Sequence, residues 1–428
     1  MSSRRSLLLF FAASLLLALP VRADWPQFDG RRGASEPPAS PQTPAVGPDL
    51  ELNDRLWVVI RAASPQDRSK AAALGLDIVD ISGANASGVA TPAGLARLQE
   101  AGFEVIKQTA LRNLPRAFPP QDKAYHDYAQ VQATLAQIAG AHKDFASIVE
   151  VGQSVRGRKI TALRFNTTAQ GGAAGKKPGA LFVGNHHARE HLSTEVPLLA
   201  AQWIADNAAK PEVRKLLDTR DIYFLPLLNP DGAEYDIETG QYRWQRKNMR
   251  ANPDGSTGVD LNRNFDSHWR ESGTSTHPSD DTYGGPSAFS EPESRALKAF
   301  LDGHTNVKTM ISYHSYAELV LYPWGWGDEQ IPGKPLEAFK AMAAKMAGWT
   351  GYTAQQSSDL YPASGDSCDW AWAEHGVYCF TIELTGSGGG FYPGSAVIAP
   401  TVSKNVPAIL YLIDLADDPL RAAGKPAL

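Results

Sequence analysis

The protein is 428 residues long, 43% hydrophobic and 20% charged, which is enough apolar side chain to bury a large core and enough length for two or three domains. Lys and Arg number 41 against 46 Asp and Glu, a formal net charge of -5 with both signs interspersed, so the basic excess that nucleic-acid binding requires is missing.

Residues 1–23 have the layout of a secretory signal: Arg4 and Arg5, an apolar stretch over 6–19, then Val21-Arg22-Ala23 as a small-residue cleavage pattern. Cleavage is expected after Ala23, with delivery to a periplasm or to the outside of the cell. The apolar stretch is shorter than the roughly 20 residues a spanning helix needs. No later segment reads as a span, so no membrane contact is expected once the signal is gone. Residues 24–50 are rich in Pro, Gly, Ser and Ala without a hydrophobic period and read as a flexible leader.

A small α+β domain is expected over 51–110: strand 55–60, helix 65–74, strand 76–81, a capped helix 91–101 and strand 103–106. Residues 111–120 carry Arg112, Arg116, Pro115, Pro119 and Pro120 and suit an exposed, protease-accessible connector. From 121 to 418 the pattern alternates: helix 125–142, strands 148–151, 160–165 and 180–184, helix 193–207, strand 221–228, helix 291–301, strand 307–312, helix 336–349, strand 377–383 and a last helix near 402–415, before a tail over 419–428. Apolar strands separated by helices predict an α/β fold, a mainly parallel mixed sheet with helices on both faces. In such sheets ligands bind at the carboxyl ends of the strands.

Three of these strands run into residues that a metal could use. Strand 180–184 is followed by His187-Ala188-Arg189-Glu190, strand 307–312 runs through Tyr313 into His314, and strand 377–382 ends in Glu383. An isolated H-x-x-E is more often a solvated turn, and a lone strand-end histidine more often a hydrogen-bonded structural residue. Together at one sheet edge, His187, Glu190 and His314 form the three-ligand set of a catalytic zinc with one position left for water. Peptide hydrolysis also needs a base for the water and an acid for the leaving amine, and Glu383 is the carboxylate suited to both. A metal-bound histidine usually donates its other N–H to a carboxylate, and Asp260 is the candidate partner of His187.

With those residues in place, seven ordered motifs carry a resemblance: His187-Ala188-Arg189-Glu190, Asn229-Pro230-Asp231-Gly232, Arg243-Trp244-Gln245-Arg246-Lys247, Asp260-Leu261-Asn262-Arg263-Asn264, His314-Ser315-Tyr316, Tyr361-Pro362-Ala363-Ser364-Gly365 and Thr381-Ile382-Glu383-Leu384. From about residue 125 to 415 the chain resembles the zinc metallocarboxypeptidase family, in the branch of carboxypeptidases A and T. The resemblance implies one Zn²⁺ ion and attack on peptide or protein C-termini. It implies that Asn262 and Arg263 hold the substrate's terminal carboxylate, whose shape a guanidinium fork matches. Arg246 would polarise the scissile carbonyl, Arg189 and Arg243 would line the approach together with Ser315 and Tyr316, and Tyr361 would close over the substrate. The 51–110 domain resembles the family's propeptide, with an activating protease as partner and Arg112 and Arg116 as cleavage neighbourhoods; a plain accessory domain is the other reading. A monomer is expected.

The pocket for the terminal side chain is expected around Leu321, Asp366 and Cys368. Asp366 either faces that pocket and tolerates basic residues or serves as a turn acceptor. Cys368 stands where basic-specific relatives carry an aspartate, which argues against strict basic specificity. Cys368 and Cys379 are either a disulfide of an exported chain or two thiols, a choice that spacing cannot make. His191 stands where pancreatic members carry tryptophan. Two other functions compete: a zinc hydrolase of peptidoglycan peptides, and a non-catalytic binding protein on the same fold. Serine-hydrolase chemistry has no support, because no G-x-S-x-G turn occurs.

Overall fold

A computed structural model describes residues 55–110, 120–237, 242–387 and 389–424. The expected signal and leader, and all of the connector but its last residue, lie outside the described residues.

The amino-terminal unit consists of β1 (Leu56–Arg61), α1 (Pro65–Ala73), β2 (Asp77–Ser82), β3 (Asn85–Ala90), α2 (Pro92–Glu100) and β4 (Val105–Ala110). Its strands form an antiparallel sheet in the order β2-β3-β1-β4. The period of two in β1 assigns the two faces. Val58 and Ile60 are buried with Leu76, Leu95 and Leu98 in the unit's own core. Trp57 lies on the opposite face and joins Val79 and Val89 against Trp244, Tyr316, Phe391 and Tyr392 of the larger unit. Strand β3 escapes the sequence reading because its residues are small. A Cβ at Gly88 would stand 2.0 Å from the Asp77 carbonyl oxygen, so close approach to β2 leaves no room for the branched side chains that mark a strand.

The larger unit runs α3 (Tyr128–Ala141), β5 (Ala146–Gln153), β6 (Lys159–Phe165), β7 (Gly179–Val183), α4 (Leu192–Asp206), α5 (Pro211–Thr219), β8 (Asp221–Leu225), α6 (Pro230–Ile237), α7 (Pro292–Gly303), β9 (Val307–Ser315), β10 (Leu319–Tyr322), α8 (Lys334–Thr350), β11 (Thr353–Gln356), α9 (Ser357–Leu360), α10 (Ser367–His375), β12 (Tyr378–Leu384) and α11 (Ile398–Leu415). Its sheet has the order β11-β10-β12-β9-β7-β8-β6-β5. The central strands β12, β9, β7 and β8 are mutually parallel. Strands β5 and β6 extend one side antiparallel, and β10 is antiparallel to β12 on the other. Every residue of β7 and β8 is buried, as a sheet covered on both faces requires. One cover holds residues of α3, α4, α8 and α11, the other residues of α7 and α10.

Strand β8 stops at Leu225, short of the expected 228, because Pro226 has no N–H for the ladder. Among the described residues the stretch Ser395–Leu415 is long and apolar enough to cross a membrane. Val402, Ile409, Leu412 and Ile413 on it are instead buried in the main core. Packing also continues past residue 418, since Ala422 is buried in that core.

Candidate active site

The loop after β7 is shaped by contacts that exclude side chains. A Cβ on Gly184 would lie 2.1 Å from the Ser193 carbonyl oxygen, so only glycine lets α4 begin this close to the strand. The Asn229-Pro230-Asp231-Gly232 motif then braces the loop. Asn229 Nδ2 donates to the His186 carbonyl at 3.2 Å, and the Ala188 N–H donates to the Arg246 carbonyl at 2.9 Å. The last of these ties the loop to the irregular segment carrying the arginine.

This bracing aims His187 and Glu190 at His314 on β9. His187 Nδ1 stands 2.8 Å from Glu190 Oε1, and His314 Nδ1 stands 3.1 Å from both Glu190 Oε2 and His187 Nδ1. All three are buried, and their ligand atoms lie within 4.8 Å of one another, a grouping able to hold a metal ion. Two imidazole nitrogens facing each other beside a carboxylate are poorly matched as hydrogen-bond partners, but they are a suitable donor set for Zn²⁺. The residues present therefore fit that ion.

Asp260 bridges the cluster to Arg246. Its Oδ1 is 3.1 Å from His187 Nε2, while its Oδ2 accepts from Arg246 Nε at 3.0 Å and Nη2 at 2.8 Å. Although burial raises carboxyl pKa values, Arg246 and His187 hold Asp260 well below the carboxylate range. His187 is raised above the ordinary histidine value: burial and Arg246 lower it, but Glu190 and Asp260 outweigh them. Glu383 is shifted in the direction opposite to Asp260. Burial and the neighbouring Glu190 push its carboxyl up to about 8, against His187, Arg246 and Arg263.

A cavity of about 360 Å³ joins His187, Glu190 and His314 to Arg246, Asn262, Arg263, Ser315, Tyr316, Tyr361 and Glu383. Arg263 Nη2 donates to the Tyr361 hydroxyl at 3.1 Å. The Tyr361 loop is held against Arg263 by Gly365, where a Cβ would lie 2.4 Å from the Arg263 carbonyl oxygen. A smaller adjoining cavity of about 60 Å³ is lined by Leu321, Thr381 and Asp366 among others.

Three residues expected to meet the substrate line neither of these cavities. Arg189 is fully buried beneath the Phe391 ring, 4.2 Å from its centroid, and ion-paired to Asp77. Arg243 lies 4.2 Å over the Tyr235 ring. Cys368 is joined to Cys379 in a disulfide and packed in the core, with Thr381 Oγ1 3.6 Å from its sulfur, so Thr381 and not Cys368 meets the small cavity. Asp366 lines that cavity yet also caps α10, accepting from the Cys368 and Asp369 N–H groups at 2.8 and 3.0 Å and from Asn262 Nδ2 at 2.7 Å. Asp366 is thus the turn acceptor and also stands at the wall of the small cavity. His191 Nε2 lies 2.9 Å from Asp236 Oδ2, away from the metal cluster.

The sequence reading missed the residues that the amino-terminal unit contributes. Asp77 Oδ1 is 3.2 Å from Arg246 Nη1, and Arg68, Ile78, Val79, Asp80 and Ile81 line the large cavity. The available signal was Asp77 set between the apolar Leu76 and Ile78-Val79. Arg55 pairs with Asp281 at 3.1 Å, Arg97 with Asp280, and Arg68 Nη1 donates to the Leu360 carbonyl at 2.8 Å.

The zinc carboxypeptidase family model matches residues 131–408, well over half of the chain. A zinc carboxypeptidase of Saccharothrix mutabilis subsp. capreolus is 29% identical over 99% of this chain and 98% of its own length. Bovine carboxypeptidase B is 32% identical over 67% of this chain and 70% of its own. The solved carboxypeptidase A of Helicoverpa armigera superposes with a TM-score of 0.68, covering 87% of this chain and 98% of that one at 24% identity, a likeness of fold. The metal cluster, the sheet that presents it and these matches converge on one conclusion: the chain belongs to the zinc carboxypeptidase family and is a zinc metallocarboxypeptidase.

Proposed function

We propose that the protein is an exported carboxypeptidase, made as an inactive precursor, that hydrolyses the last peptide bond of a peptide with Glu383 as general base and acid. The observation that carries this reading is the single cavity in which Arg246, Asn262, Arg263, Tyr361 and Glu383 surround the His187–Glu190–His314 cluster. Asn262 and Arg263 bind the terminal carboxylate, which brings the last peptide bond beside the cluster and admits no internal bond. Arg246 faces the carbonyl and stabilises the charge that develops on its oxygen. Zinc, when bound, supplies a Lewis acid and makes a water acidic enough to attack. With its carboxyl raised to about 8, Glu383 can keep the proton it takes from water and return it to the departing amine.

The precursor role rests on where β2 lies. Asp77 engages Arg189 and Arg246, and residues 78–81 wall the cavity, so a peptide must displace this strand to reach the cluster. Cleavage by an activating protease near Arg112 or Arg116 would free it. Export follows from the signal layout of residues 1–23. For the terminal side chain we propose a neutral or hydrophobic preference with tolerance of lysine and arginine. Leu321 and Thr381 offer weakly polar walls, and the Asp366 charge is shared among three donors.

The test is kcat/KM of the cleaved protein on blocked dipeptides ending in Phe, Leu, Lys, Arg or Glu, with and without a zinc chelator. Chelator-sensitive release supports the reading. No release, with zinc bound, would turn the assignment to peptidoglycan peptides or a non-catalytic role.

A further inference from the structure

His187 has a charged carboxylate behind it in Asp260; His314 has none. What stands behind His314 is a hydroxyl and a second, fully buried histidine. Ser312 and His314 are two apart on β9, so the strand period puts both side chains on the same face. Ser312 Oγ is 3.0 Å from His314 Nε2 and 3.2 Å from His186 Nδ1. The His186 and His314 rings stack with centroids 5.2 Å apart and planes at 23°. All three residues are buried, which keeps water from substituting for any of these bonds.

We propose that Ser312 and His186 form a hydrogen-bond relay that fixes the tautomer and ring orientation of His314, making them positioning residues for the metal. The relay's proton order starts at His314. His314 turns Nδ1 toward Glu190 and His187, so a neutral ring that gives this lone pair to a cation carries its hydrogen on Nε2. That N–H donates to Ser312 Oγ, whose own hydrogen then donates to His186 Nδ1. His186 must therefore keep its hydrogen on Nε2, an atom that is buried with no hydrogen-bond partner among the described residues. The His186 backbone is itself pinned, since its carbonyl accepts from Asn229 Nδ2. The cluster thus has two unequal histidines, one supported by a carboxylate and one by a neutral relay. This inference rests on the metal reading of the cluster.

The test uses the full chain. Zinc affinity of the wild type is measured first by competition with a chromogenic chelator, then that of Ser312→Ala, His186→Leu and His186→Asn. Partners behind a ligand typically change metal affinity about 10- to 100-fold. The zinc Kd is expected to rise by that factor in Ser312→Ala and His186→Leu, and to stay near wild type in His186→Asn, whose amide oxygen can accept where Nδ1 did. Because His186→Leu could fail to fold, the zinc-loaded wild type is also labelled with 15N-histidine. Its spectrum is expected to show His186 bare at Nδ1 and protonated at Nε2. An unchanged Kd in Ser312→Ala, or His186 protonated at Nδ1, would overturn the relay while leaving the metal reading intact. Failure of the wild type itself to bind zinc would overturn both.

Discussion

Asp77 and Arg189, on different units of the fold, meet as a buried ion pair, and the second oxygen of Asp77 reaches Arg246 at 3.2 Å. One carboxylate therefore engages both the buried Arg189 and the cavity-lining Arg246. Removing one partner of a buried pair leaves the other charge uncompensated, at about 3–5 kcal/mol in the general case. Here Asp281, 3.5 Å from Arg189, reduces the loss. In the uncleaved chain Asp77→Ala is expected to raise kcat/KM at least about tenfold, the equivalent of about 1.4 kcal/mol of lost docking. Unchanged activity would mean that the apolar face of Trp57, Val79 and Val89 holds the unit in place by itself.

Replacing Glu383 with glutamine removes the proposed base but leaves the three metal ligands untouched. Turnover of the cleaved enzyme should fall about 10²- to 10⁴-fold, the usual contribution of a positioned acid or base, with zinc content unchanged. The same variant reports on pH. Glu383 is held at about 8 in the folded protein against an ordinary value of 4.5, so between these values the folded state binds more protons than the unfolded one. Its stabilising share is present below the unfolded value and is lost as pH rises through the folded one. The urea midpoint of metal-free wild type should therefore fall between about pH 5 and 8 by more than that of metal-free Glu383→Gln. Parallel pH profiles would rule out the raised carboxyl.

The Cys368–Cys379 bridge closes a short loop, with a sequence separation of 11, joining α10 to β12. Closure of a loop this size is worth about 3 kcal/mol by chain entropy. Urea unfolding of the Cys368→Ala/Cys379→Ala double variant should show a loss near that size, whereas a loss below about 1 kcal/mol would mean that packing of α10 already supplies the order.

Asp366→Asn keeps an oxygen for the α10 cap but drops the charge. Release of C-terminal lysine and arginine should weaken relative to leucine by a few-fold, in line with the roughly 0.2–1 kcal/mol of a partly solvated ion pair. Should the Lys/Leu ratio of kcat/KM not move, Asp366 would be a helix cap alone.

Much of the site was legible because metal ligands and the sheet ends that carry them leave patterns along the chain. His187 and Glu190 follow an apolar run, while His314 and Glu383 close two others, and the structure gathers all four at one cavity. Side-chain direction was not legible. Arg189 and Cys368 occupy motif positions, but burial beneath Phe391 and pairing with Cys379 are set by segments distant in sequence. Short elements were lost for a related reason: β10, β11 and α9 have four residues each, too few to display a period. The contribution of β2 to the cavity was hidden as well, since docking between units leaves no periodic trace in either.

Strand pairing places Glu383 directly beside His314, across the parallel ladder of β9 and β12. The spacing between the proposed base and one metal ligand is thus a backbone constant, repeated at the pitch of neighbouring strands, and no loop takes part in it. Segments beside the proposed pocket for the terminal side chain, such as residues 362–363, can change in chemistry while that spacing stays fixed. A designer wanting a new cleavage preference can therefore begin at Ala363, which lines the small cavity, while Tyr361, Gly365 and Asp366 are kept for their contacts with Arg263 and Asn262.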